Sequence, residues 1–159
     1  EISATKIRNS QKGIIWLTGN VGAGKTSLAY LLKERLNAIV LDGDELRASI
    51  SVDLGFSKDD RDEHNMRVAR LAKLLNSQGY NVVVSVIAPF QSTRDKITKL
   101  IKPYWIYIKG GKIGKDMPYE VPLNPDLIID STEESLLTSL DKIIKSIGKL
   151  SDINDLGQM

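Results

Sequence analysis

The stretch Gly19-Asn20-Val21-Gly22-Ala23-Gly24-Lys25-Thr26 fits the pattern G-x-x-x-x-G-K-[ST] and joins two segments of different periodicity. Before it, Gly13-Ile14-Ile15-Trp16-Leu17-Thr18 is a short apolar run suited to a buried strand; after it, Leu28, Leu31, Leu32 and Leu36 share one helical face. A strand-to-helix junction is the context in which this pattern cradles phosphates. Glycines let the backbone curl so that successive N–H groups converge on phosphate oxygens, and the helix N-terminus adds partial positive charge. ATP phosphates are therefore expected along Gly19, Asn20, Val21, Gly22, Ala23, Gly24, Lys25, Thr26 and Ser27. Lys25 is expected to reach the β- and γ-phosphates, and the Thr26 hydroxyl to ligate Mg²⁺.

The rest of the chain repeats the alternation of strand and helix. Ala38-Ile39-Val40-Leu41 is a second apolar run. A long helix is predicted from Ser57, with Asp60 placed as in a capping box, through Val68, Leu71, Ala72 and Leu75 to a stop at Gly79. Residues 81–87 read as a β-branched strand, Ile97, Leu100 and Ile101 as a helix ending before Pro103, and residues 104–108 as another strand. A polar loop rich in Gly, Lys and Pro covers 109–125. Leu127-Ile128-Ile129 gives a last strand, and Leu136, Leu140, Ile143, Ile144 and Ile147 line a closing helix with Gly148 at its end. Five apolar runs alternating with helices imply an α/β fold: a three-layer αβα sandwich around a parallel five-stranded sheet, like that of P-loop NTP hydrolases and nucleotide kinases. One domain is expected over 1–159, with its core at about 12–148, a polar, irregular start at 1–11 and a flexible tail at 149–159.

Composition narrows the function. The 159 residues include no cysteine, which excludes disulfides, thiolate metal sites and cysteine nucleophiles. Lys plus Arg number 22 against 20 for Asp plus Glu, scattered rather than massed, so a small anion is a better partner than a nucleic acid. No apolar run is long enough for a membrane span, and a cytoplasmic location is the default expectation. The oligomeric state is left open, a homodimer included.

Leu41-Asp42-Gly43-Asp44-Glu45-Leu46-Arg47 places two carboxylates at the end of what reads as a central strand, near the expected phosphates. One of them can accept the proton of an acceptor hydroxyl and help hold hydrated Mg²⁺, while Arg47 pairs with an anionic group on the acceptor. Spacing alone does not separate the roles of Asp42 and Asp44, and Asp44 is also a candidate helix cap. Arg61, His64 and Asn65 lie at i, i+3 and i+4 on one helix face, where they can point into a cleft.

With these residues in view, the chain resembles the adenylylsulfate kinase family. The resemblance runs through the phosphate loop, residues 41–47, Asp53-Leu54-Gly55-Phe56-Ser57 with Asp60-Arg61, Ile87-Ala88-Pro89-Phe90 with Arg94, and Pro118-Tyr119-Glu120-Val121-Pro122-Leu123-Asn124-Pro125-Asp126. It covers most of residues 13–147. It implies transfer of a phosphoryl group from ATP to the 3′-hydroxyl of adenylylsulfate, with Mg²⁺ required and Lys25, Asp42 and Asp44 as the catalytic set. By the same resemblance Asp42 is base and metal partner, joining Thr26 on Mg²⁺. Arg47 and Arg61 hold the acceptor's anionic end, and Phe56 stacks on its base. The acceptor site also takes in Asp42, Asp44, His64, Ile87, Ala88, Pro89, Phe90 and Lys112.

Four departures qualify the match. His64 stands where the family has Asn. Ala88 and Phe90 stand where it has Ser and Tyr, so no phosphoserine can form at position 88 and transfer is direct. Lys112 occupies the place of a second stacking Phe. The family's basic lid is shortened to Lys109-Gly110-Gly111-Lys112-Ile113-Gly114-Lys115, which predicts a slower enzyme, a different acceptor, or Lys109, Lys112 and Lys115 supplying the cations instead. Two alternatives follow: another acceptor, such as a cytidine diphosphate derivative, or a nucleotide-binding module without catalysis.

Overall fold

The computed structural model of the protein describes residues 13–157, with side chains as far as residue 148. The expected irregular start at 1–11 lies outside the described residues. The elements are β1 (Ile14–Thr18), α1 (Lys25–Leu36), β2 (Ala38–Asp42), α2 (Gly43–Arg47), α3 (Lys58–Ser77), β3 (Asn81–Ser85), α4 (Gln91–Ile101), β4 (Tyr104–Lys109), β5 (Leu127–Asp130) and α5 (Leu136–Gly157). The strands form one parallel sheet in the order β2-β3-β1-β4-β5.

Side chains alternate across each strand, so the two sheet faces build two separate cores. Ile15, Leu17, Val83 and Ile106 pack with Leu28, Leu32 and Ile143 of α1 and α5. Ile14, Trp16, Val82 and Val84 pack with Val68, Ala72 and Ile97 of α3 and α4. Burial on both faces is why β1 and β3 read as unbroken apolar runs. Each such side chain contributes roughly 1.5–3 kcal/mol on leaving water. Trp16 lies 5.2 Å from Trp105, ring centroid to centroid, and its Nε1 donates to the Val86 carbonyl at 3.0 Å.

Helix α3 starts as its sequence predicts, with Ser57 Oγ accepting from the Asp60 N–H at 3.1 Å. The Asp60 carboxylate closes on the Gly55 N–H at 2.7 Å rather than on Ser57, so the box is half formed. Gly79 takes a left-handed φ of 95° just past the helix end.

Four expectations need correction. β2 is an edge strand, not a central one. β3 stops at Ser85 instead of residue 87, and Ala88, close behind it, is left-handed at φ 49°. The turn after β2 is a short helix, α2, whose cap is Asp42 and not Asp44. Gly148 does not end the last helix, which continues to Gly157, so residues 149–157 of the expected tail are helical. A single glycine costs a helix about 1 kcal/mol against alanine, too little to stop one held by tertiary packing.

Candidate active site

The phosphate loop is shaped by contacts that only glycine permits. A Cβ on Gly19 would lie 2.3 Å from the Ile108 carbonyl oxygen, where β1 runs beside β4. Gly24, the N-cap of α1, has a φ of 93° and no side chain to cap with, so the first amides of α1 are left for an outside acceptor. Within the loop the Ala23 N–H donates to the Asn20 carbonyl at 3.2 Å, and Lys25 Nζ donates to the same oxygen at 3.0 Å. Lys25 is buried. Burial pulls its pKa down to about 8, against the opposing pull of Asp42 and Asp44.

Asp42 fastens the loop helix to the end of β2. One carboxylate oxygen accepts from Thr26 Oγ1 at 3.1 Å, and the other accepts from the Glu45 N–H at 3.3 Å. Asp44 is exposed in the first turn of α2 and faces the same cleft. Beside Asp42 in register stands Ser85. Its hydroxyl is sealed and has no hydrogen-bond partner among the described residues, a condition rare enough in folded proteins to ask for a ligand.

The loop opens into a cleft of about 910 Å³. Its far wall carries Arg47, Phe56, Arg61, His64 and Asn65, so the helix face read from the sequence does converge there. Arg47 donates to the Gly55 carbonyl at 2.6 Å, and Arg61 to that of Phe56 at 2.7 Å. Both guanidinium carbons sit over the Phe56 ring, 4.6 and 5.4 Å from its centroid. Phe56 is 70% exposed, which no core aromatic would be. His64 is buried, and burial, with Arg47 and Arg67 adding to it, lowers its pKa to about 4.

Ile87, Ala88 and Pro89 form a third wall. It is held from behind by buried Arg94, which donates to the Ala88 carbonyl at 2.6 Å and to the Glu120 carbonyl at 2.5 Å. Phe90 and Lys112 do not line the cleft. Phe90 lies under the Lys58 ammonium, 4.9 Å from its ring centroid. Lys112 lies along Gly22 of the phosphate loop.

Sequence reasoning missed how the shortened segment after β4 is held. Asn20 Nδ2 donates to the carbonyls of Lys112 at 2.5 Å and Met117 at 3.4 Å, and the Lys112 N–H donates to the Val21 carbonyl at 2.7 Å. The Tyr119 hydroxyl lies 2.8 Å from Thr18 Oγ1, which donates in turn to the Ile87 carbonyl at 2.5 Å. The segment is thus laced across the phosphate loop. Of its three lysines, Lys109 stands 4.0 Å from Asp130, Lys112 packs on Gly22, and Lys115 lines the cleft. The partners in this lacing lie 69 to 101 positions apart, beyond the reach of any local pattern.

Comparison with known proteins agrees with this geometry. The family model described as adenylylsulphate kinase matches residues 11–111. An adenylyl-sulfate kinase of Bacillus velezensis is 36% identical over 167 aligned positions, spanning 82% of this chain and 85% of its own. One from Picosynechococcus is 33% identical, spanning 87% of this chain and 95% of its own. Among solved structures, the Mycobacterium tuberculosis APS kinase in complex with AMPPNP and APS superposes with a TM-score of 0.77 at 28% identity, covering 86% of this chain and 98% of that one.

Proposed function

Because this chain belongs to the adenylylsulfate kinase family, we propose that it moves the γ-phosphoryl group of Mg·ATP onto the 3′-hydroxyl of adenylylsulfate. The observation that carries the reading is the bond between Thr26 Oγ1 and Asp42, because it joins the phosphate loop to a carboxylate that can serve as the base. Glycine-loop amides and Lys25 bind the triphosphate. Arg47 and Arg61 hold the acceptor's anionic end, and the exposed Phe56 ring takes its base. The acceptor oxygen forms its bond to phosphorus as the bond to the β–γ bridging oxygen breaks. ADP leaves, and the hydroxyl proton passes to Asp42, with Asp44 as the second carboxylate of the site. Residue 88 is alanine, so no enzyme-bound phosphoserine intervenes there.

The residues present fit Mg²⁺. That ion accepts one or two carboxylates and keeps several waters, and among the described residues no group of three His, Cys, Asp or Glu side chains gathers to hold a more demanding metal. Thr26 and Asp42 would hold it, and the unpartnered Ser85 hydroxyl beside Asp42 suits one of its waters. When bound, the ion neutralises charge on the transferring phosphates.

A single domain in the cytoplasm, with the homodimer as an assembly to test by sedimentation, completes the proposal. No helix among the described residues is long and apolar enough to cross a membrane. The deciding experiment offers adenylylsulfate and a panel of cytidine diphosphate conjugates with Mg·ATP, and follows ADP together with the phosphorylated product. Turnover of adenylylsulfate is expected. Its absence alongside robust use of another acceptor would replace the substrate, and the absence of any turnover would leave a nucleotide-binding module.

A further inference from the structure

The acceptor wall contains a pair whose hydrogens can be placed by elimination. His64 and Ser51 are both buried, with His64 Nδ1 2.7 Å from Ser51 Oγ. The Ser51 hydroxyl has no other partner among the described residues. A sealed O–H that fails to donate costs about 1–3 kcal/mol, and Nδ1 is its one acceptor. Nδ1 must then be bare. In a neutral imidazole the proton consequently sits on Nε2. The ring is neutral because a charge there would be buried near Arg47 and Arg67.

Among the described residues Nε2 has no protein partner, yet it does not count with the sealed side-chain atoms left without one, such as Asn65 Oδ1, Ser85 Oγ and Arg94 Nε. It remains open to the cleft that His64 lines. We propose that Ser51 is a positioning residue that locks His64 as the Nε2–H tautomer, and that this N–H donates to an oxygen of the acceptor nucleotide. The proposal rests on the functional reading above for the identity of that acceptor. Arg47 and Arg61 attract any anion, whereas a neutral donor fixed in direction selects among ligands. One that offers an oxygen there is held, and one that offers N–H or C–H leaves a half-buried donor unpaired.

His64 is the sole histidine of the 159 residues, so long-range ¹H–¹⁵N spectra of the full chain read its tautomer without ambiguity. The unliganded protein is expected to show the Nε2–H form. Ser51→Ala should yield a mixture with the Nδ1–H form and raise the KM for adenylylsulfate about tenfold, with a smaller change in kcat and in the KM for ATP. Ser51→Thr should restore both. Adenylylsulfate added with ADP should shift the Nε2 resonance, and ADP alone should not. An Nδ1–H ring in the unliganded protein overturns the proposal. So does an Nε2 resonance indifferent to adenylylsulfate in an enzyme that phosphorylates it. Failure of the unaltered enzyme to use adenylylsulfate is a separate result that removes both the functional reading and the ligand named here.

Discussion

The Tyr119 hydroxyl donates to Thr18, the last residue of the strand that launches the phosphate loop, across 101 positions of sequence. Thr18 Oγ1 passes the bond on to the Ile87 carbonyl in the 87–89 wall of the cleft. The base of the phosphate loop and the 87–89 wall of the cleft are thereby tied through one hydroxyl. Tyr119→Phe removes the donor and keeps the ring, which stacks on Tyr107 at 5.8 Å. A loss of about 1 kcal/mol in urea unfolding is expected, because nothing is left buried and unpaired. Unchanged stability would show that the tie is slack.

Asp42→Asn keeps a side-chain oxygen to cap α2 and removes the charge. Turnover should fall 10²- to 10⁴-fold, in the range for loss of a general base, while ATP binding without metal stays nearly intact by calorimetry. Asp44→Asn, measured alongside, should cost less. The reverse order would transfer the base role to Asp44.

Lys25 gives two pH dependences of opposite sign. Its pKa of about 8 in the fold lies below the ordinary 10.5 of a lysine, so the cation proposed to grip phosphate is lost as pH rises through 8. kcat/KM for ATP, which reports the free enzyme, should decline above that point. Between 8 and 10.5 the unfolded chain binds more protons at this residue than the native one, so this group's contribution to stability rises with pH across the same window. Lys25→Met should abolish both trends.

Lys115 and Lys109 separate a working cation from a surface one. Lys115→Ala should lower kcat by roughly tenfold or more if it meets the transferring phosphates in place of a longer lid. Lys109→Ala loses only an exposed contact with Asp130, and should change stability by less than about 1 kcal/mol and kcat not at all. Equal effects would argue that the segment acts through its backbone ties alone.

What the sequence reveals here is whatever is written over short spans. The glycine loop, the Ser57 cap and the helix face bearing Arg61, His64 and Asn65 each depend on residues within a few positions, and each is found where its spacing places it. Strand order is a property of the whole chain, which is why β2 can pass for a central strand: both its faces pack, though among the described residues no strand pairs with its outer edge. Asp42 and Asp44 are indistinguishable by spacing. Only the start of α2 shows that Asp42 is the cap and Asp44 the exposed member. Motif position alone gives Lys112 and Phe90 to the acceptor, whereas the path of the shortened segment lays Lys112 along Gly22, and Phe90, at the start of α4, lies under Lys58.

The only two tryptophans of the chain, Trp16 and Trp105, are neighbours, and the indole of the first is bonded to Val86 at the root of the 87–89 wall. Indole emission, excited beyond the tyrosine band, therefore comes from one spot, directly behind the 87–89 wall. The protein carries its own optical gauge of that wall, readable in a stopped-flow cuvette with no dye attached.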